Sequence, residues 1–374
     1  MAPIAIGMVL LSIALLFDGL LRAAGRAGVS GLASIAQGVS ALAAGASLLG
    51  LGLGPRAGAL AYLIGAAFRL AVSAWTSRDL WRGAPVSSPS WGAPWTLVRE
   101  SLPLALSSVF VVVYFRIDAV ILHAFQGEHA VGLYAGIYRI FEVFALLAVT
   151  FRSVLFPVMA RAADGPRQAL GVMCRRSIRL HLLFTLGVAV FFTFQRDLIT
   201  RVALGAPYAA AAPALAILVW ALPGSYVADT LMFLLTARRR QSLGTWAVAA
   251  TAAFNVVLNL ALVTRISFVG ASIATVASEW LCCVLLFALF ARDVPVPGIA
   301  RALVRPALAG GLLVLALGAL SPWRPQGIGG LALALGAAAA MYGGALALVG
   351  AVDRDDLARL RGWTARARGA GSPA

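Results

Sequence analysis

The chain is dominated by apolar runs that are too long and too closely spaced for a water-soluble protein. About eleven have the length of a bilayer crossing, roughly 3–21, 31–53, 57–76, 102–125, 130–160, 177–195, 208–236, 243–264, 268–291, 302–320 and 328–351; about 20 residues suffice to span the hydrocarbon. Backbone polar groups in lipid must be satisfied within the protein, which leaves helices or a closed barrel. The runs are continuous rather than alternating, so helices are selected. The expected fold class is an all-α polytopic membrane protein. Composition agrees: 61% of the 374 residues are hydrophobic and 12% charged, with a mean hydropathy of +0.92.

The net charge is +16. In a soluble domain this would suggest nucleic acid, but here the loops account for it. All 30 basic residues are arginine. Counting Arg179 and Arg305, close to span ends, with the loops, 21 fall in one set of alternate loops and in the tail, 5 in the other set, and 4 inside spans. This is the bias of the positive-inside rule. It places the C-terminal tail in the cytoplasm, and no nucleic-acid partner is expected. An odd number of spans puts Met1 outside. The first span has neither a basic flank nor a cleavage pattern, so further helices are expected to precede it.

The longest loops are about 77–101 and 161–176. The first holds RGAPVSSPSWGAPW and reads as a linker with interfacial Trp81, Trp91 and Trp95. The tail after Ala351 has Asp353, Asp355 and Asp356 before several arginines. That order suits a short helix on an anionic inner surface. A repeat is suggested by two matches at an offset of 214 residues, Leu20–Ala23 with Leu234–Ala237 and Arg78-Asp79 with Arg292-Asp293. Chance similarity between Ala/Leu-rich helices would give as few identities. A true repeat would be parallel.

Charges inside the spans are the main functional signal. Arg116 and Asp118 lie in YFRID, Arg139 and Glu142 in YRIFE, and Arg152 further on. An ionisable group at mid-membrane costs at least about 2.5–3.5 kcal/mol, so such groups face a bundle interior or a wet cavity. Arg116 and Asp118 point about 200° apart on a helix and are poor partners for each other. They either line a path or lock two helices. Arg139 and Glu142, at i and i+3, can share a face or satisfy each other. Unpaired guanidiniums in such a bundle suit a phosphate. Asn255 and Asn259 share a face, and Glu279 follows Ser272, Thr275 and Ser278. These read as interhelical polar contacts or as a coupling site. Arg69 and Asp229 read the same way, and Pro103, Pro157, Pro213 and Pro223 are candidate breaks.

Enzyme patterns are weak. No Walker loop or HExxH occurs, and His123, His129 and His181 are too scattered for a metal site. Cys174, Cys282 and Cys283 have no metal spacing and read as apolar filler. No cofactor or metal is expected.

The stretch LRESLPLALSSVFVVVYFRIDAVILHAFQGEHAVGLYAGIYRIFEVFALLAVTFRSVLFPVMAR resembles the middle of polysaccharide-biosynthesis flippases, the Wzx-type members of the MATE-like multidrug/oligosaccharidyl-lipid/polysaccharide superfamily. The matching features are Pro103, Arg116-x-Asp118, Val131-Gly132-x-Tyr134, Tyr138-Arg139-Ile140 and Phe156-Pro157. Asn255, Asn259, the run Gly270–Thr275 and Ser278-Glu279 resemble later helices of the same family. The resemblance implies two six-helix lobes about a cavity, sometimes with two extra C-terminal helices. Eleven spans would then be the fourth to the fourteenth. Residues 1–80 would be a partial N-lobe, 81–101 a linker, 102–294 a C-lobe, 295–351 the extra helices and 352–374 a basic tail.

The same resemblance implies a cargo, an undecaprenyl-pyrophosphate-linked oligosaccharide such as an O-antigen, exopolysaccharide or capsule repeat. It would cross the inner membrane by alternating access driven by an ion gradient, with glycan polymerase machinery and membrane lipid as further partners. Arg116, Arg139 and Arg152 would contact the anion, and Asp118, Glu142, Glu279, Asn255 and Asn259 would orient or couple. Competing readings are a cation-coupled small-molecule exporter of the same fold and a membrane glycan polymerase or ligase. The first would favour acidic and aromatic cavity residues, the second a large outer loop.

Overall fold

The computed structural model describes residues 2–82, 95, 114–144, 146–148, 165–320, 323 and 325–351. Every regular element among them is a helix. The chain divides into two compact units, Met1–Leu97 and Val98–Ala374.

The first unit holds α1 (Ala2–Ala23), α2 (Ala27–Gly50), α3 (Pro55–Thr76) and the short α4 (Arg78–Arg82). Small residues let the helices approach. A Cβ on Gly65 would sit 2.9 Å from Ala41 Cβ on α2, and one on Gly7 would sit 2.8 Å from the Tyr62 ring on α3. Close approach through glycine is how helices pack where lipid gives no hydrophobic drive. Leu32, Ile35, Val39 and Leu42 form an exposed apolar stripe along α2 at helical spacing. A face of that kind suits acyl chains rather than water.

The second unit holds α5 (Tyr114–Ala148), α6 (Arg167–Ala203), a 3₁₀ turn (Ala206–Ala211), α7 (Ala212–Leu218), α8 (Ala221–Ala237), α9 (Gln241–Ala291), α10 (Ile299–Ala319) and α11 (Gly327–Leu348). Two of these fold back on themselves. In α5 the backbone turns at Gly127, φ 77°. Tyr134 Oη then lies 2.5 Å from Asp118 Oδ2, a pair about 24 Å apart along a straight helix. In α9 the break is at Ile266 and Ser267. It brings Asn255 to within 3.1 Å of Ser278. The arms are so close that a Cβ on Gly270 would lie 2.6 Å from the Leu262 carbonyl carbon.

Helices α7 and α8 meet at a 46° bend. Pro223 opens α8 just after the bend and Pro213 lies in the first turn of α7. Both prolines therefore start helices rather than interrupt them, where the missing N–H costs least. Pro103 and Pro157 lie outside the described residues. Tyr342 of α11 packs on Gly187 of α6 and donates to the Leu183 carbonyl at 2.8 Å.

By length and apolarity eight described helices can cross a bilayer, or nine if the bent pair is one span. The sequence reading of eleven crossings differs from that number. The α5 and α9 hairpins each count as one helix by this measure.

The repeat is visible in the backbone. At the α1–α2 elbow Gly25 has φ 76° and at the α8–α9 elbow Arg239 has φ 58°. Arg26 N donates to Leu21 O at 2.7 Å and Arg240 N to Leu235 O at 2.8 Å. Both pairs keep the 214-residue offset. Before the third helix of each copy, Gly54 has φ 54° and ψ −137°, and Ser267 has φ 51° and ψ −137°.

Candidate functional site

Sequence periodicity gives each arm of α5 a dry side and a charged side. Ile121 and Leu122, then Tyr134, Ile137, Tyr138 and Phe141, are buried in one core with residues of α6, α7 and α8. The other side carries Arg116, Arg139 and Glu142. Arg116 Nη2 is 3.1 Å from Glu142 Oε1, and Arg139 Nε is 3.9 Å from Glu142 Oε2. One carboxylate thus serves two guanidiniums, whose side chains stay 65% and 84% exposed. Counted from the bend at Gly127, Arg116 is 11 residues back and Arg139 is 12 on. At 1.5 Å per residue both are about 16–18 Å from the bend; with the polar bend (Gln126, Glu128, His129) at the surface, that is near the middle of a hydrocarbon core about 30 Å thick. Exposed guanidiniums at that depth cannot rest against acyl chains without a cost of about 2.5–3.5 kcal/mol.

The expected partners of these groups need one revision. Glu142 sits closer to Arg116, across the hairpin, than to its i−3 neighbour Arg139. Asp118 turns away from Arg116, as the 200° separation predicts, and is buried. Its Oδ2 accepts from the Tyr134 hydroxyl and its Oδ1 from the Ala119 N–H at 2.8 Å. Tyr134 Oη also lies 3.3 Å from Thr275 Oγ1 of α9. Both charged residues of YFRID therefore tie the two arms of α5 together. Arg152 lies outside the described residues.

The α9 hairpin supplies the facing polar groups. Asn255, Asn259, Ser278 and Glu279 are all buried. Asn255 Nδ2 donates to Ser278 Oγ, and Asn259 Nδ2 donates to the Asn255 backbone and side-chain oxygens at 3.0 Å each. The Asn259 side-chain oxygen is buried and has no hydrogen-bond partner among the described residues. Glu279 lies near Tyr114 and Asp229, with Gly224 of α8 pressed on its backbone. The cluster has more acceptors than donors, and no ion pair reaches Asp118 or Glu279 among the described residues. No group of three or more His, Cys, Asp or Glu there could hold a metal. The three cysteines are free and buried.

Two charges of the first unit are fully matched. Asp18 is buried and accepts from Arg69 Nε at 3.1 Å and Nη2 at 2.6 Å, and from Ser73 at 2.7 Å. Arg69 Nη1 donates to Gln37 at 2.9 Å. This network joins α1, α2 and α3. The sequence offered Arg69 as a polar candidate without a partner; two opposite charges in the first and third spans were the available signal. His181, 3.0 Å from Thr230, joins α6 to α8 in the same way.

Residues 1–163 match the family model described as polysaccharide biosynthesis protein. The fold matches the structure titled "Lipid II flippase MurJ, inward closed conformation", with a TM-score of 0.72 and 13% identity over 91% of this chain and 72% of that one. No curated protein matches the chain. The matched segment includes the YFRID and YRIFE motifs, while Asn255–Glu279 lie beyond it. Residues 1–163 thus resemble polysaccharide biosynthesis proteins, and this multi-pass membrane chain has a fold like that of the lipid II flippase structure.

Proposed function

We propose that the protein moves a lipid-linked oligosaccharide, carried on undecaprenyl pyrophosphate, from the cytoplasmic to the outer leaflet of the inner membrane by alternating access. The observation that carries this reading is the pair Arg116 and Arg139 at mid-span, exposed and sharing one carboxylate. A surplus guanidinium at that depth suits an anionic head group, and guanidinium forks fit phosphate oxygens well. Arg152 joins them as an anion contact, and Glu142 orients them. Asp118, Glu279, Asn255 and Asn259 form the coupling side, where surplus buried acceptors can hold a proton or a small cation. The C-terminus is cytoplasmic. The lobes are 1–80 and 102–294, joined by 81–101 and followed by two extra helices over 295–351.

The test is surface glycan in cells lacking their own flippase, at matched membrane levels of the protein. Arg116→Ala and Arg139→Ala are each expected to lower export at least tenfold, the loss of about 1.4 kcal/mol of anion contact. Unchanged export in both would remove the arginines from the path. The buried acidic cluster also suits a cation-coupled exporter of small molecules. Drug efflux by the chain without glycan export would favour that reading.

A further inference from the structure

The repeat carries an ion pair in duplicate. Arg26 caps the start of α2 and pairs with Asp79 of α4 at 2.7 Å. Arg240 caps the start of α9 and pairs with Asp293, just past its end. Each residue keeps the 214-residue offset. The elbow residues just before Arg26 and Arg240 keep the offset but not the identity: Ala24 and Gly25 in one copy are Arg238 and Arg239 in the other. The two elbows have the same hydrogen bonds, Ala24 N to Leu20 O and Arg238 N to Leu234 O, then Gly25 N to Arg22 O and Arg239 N to Thr236 O. The pairs are half exposed, and surface pairs of this kind add little stability. Retention of both charges beside elbows that have diverged calls for another role.

Asp79 and Asp293 are the first acidic residues after the third helix of each copy, where the chain leaves it. In the first unit the chain runs from there into α4, and in the second into the turn before α10. That turn is held again by Arg175, which donates to the Pro297 carbonyl at 2.6 Å. Gly171 of α6 packs against the same turn, with room for no Cβ beside the Pro295 carbonyl.

We infer that Arg26–Asp79 and Arg240–Asp293 are equivalent positioning pairs, each fixing the direction in which the chain leaves its three-helix repeat, so that helix motion during transport passes into the connecting segment. The inference rests on the transport reading above, and its test separates the two. The variants are Arg240→Glu, Asp293→Arg and their combination, with Arg26→Glu, Asp79→Arg and their combination in parallel. Glycan export per molecule is measured in cells, and hydrogen exchange of amides 22–26 and 236–240 on the purified protein.

Each single reversal is expected to lower export at least threefold and to raise elbow exchange about two- to fivefold. The combined swaps should restore both. Swaps no better than the single variants, or single variants with the parent's export and exchange, would overturn the inference. A disulfide from Arg26→Cys with Asp79→Cys should leave export intact; a locked and inactive protein would also overturn it. If the parent chain exports no glycan, the transport reading fails, and exchange loosened by reversal and recovered by the swap still supports the pairs.

Discussion

Replacing Arg69 by Leu is the sharpest test of how the first unit is held together. The Asp18 carboxylate is fully buried and takes three hydrogen bonds, two from Arg69 and one from Ser73. Removing the guanidinium leaves a carboxylate with one neutral donor. Breaking a buried pair by deleting one partner costs about 3–5 kcal/mol. Single polar contacts in membrane proteins are often worth only about 0.6 kcal/mol, because the unfolded chain in the bilayer finds other partners. Here the larger figure governs, since the group left behind is a charge and its other two sides are α1 and α3 packing. We expect Arg69→Leu to cost about 3 kcal/mol, the low end of that range. The double variant Asp18→Leu/Arg69→Leu should recover all but about 1 kcal/mol. Unfolding in detergent at graded denaturant would measure both. A single variant within about 0.5 kcal/mol of the parent, or a double variant worse than either single one, would refute the reasoning.

Tyr134→Phe removes the donor to Asp118 and should cost about 1.5–3 kcal/mol, the range for hydrogen bonds to charged groups, read as a lower unfolding midpoint. Gly171→Ala places a Cβ 1.9 Å from the Pro295 carbonyl oxygen, so the turn before α10 must move; about 1–3 kcal/mol is expected, against little change for Gly311→Ala, which meets nothing. Asp79 is held below the usual carboxylate range chiefly by its hydrogen bond from Arg26. A lowered carboxylate keeps its contribution above its unfolded value, about 3.9, and loses it as the pH falls through the lower folded value. Elbow exchange at residues 22–26, corrected for intrinsic rate, should therefore be flat from pH 8 to pH 5 and rise only below about pH 4.

The helical class and the two arginine motifs were legible because each rests on local pattern: apolar run length, or a charge inside such a run. The 200° separation of Arg116 and Asp118 read them as poor partners for each other, and the two side chains do point apart. What was not legible is pairing across bends. Glu142 faces Arg116 because Gly127 folds α5 back, and no spacing rule gives the register of two arms. Tyr134 was visible only as part of a motif, and its bond to Asp118 depends on the bend between them. Crossing number was blurred for the same reason, since tight hairpins keep helical hydrogen bonding almost through the turn.

The first arm of α5 acts as a septum. Arg116 stands on one side and Asp118 on the other, separated by a helix roughly 10 Å across. Opposite unit charges at that distance attract by about 1.7 kcal/mol at an effective dielectric of 20. An anionic head group on the arginine side and a cation on the aspartate side would lie further apart than the side chains that hold them, so each would tighten the other's hold by a smaller factor without touching, and reciprocity requires the same factor in both directions.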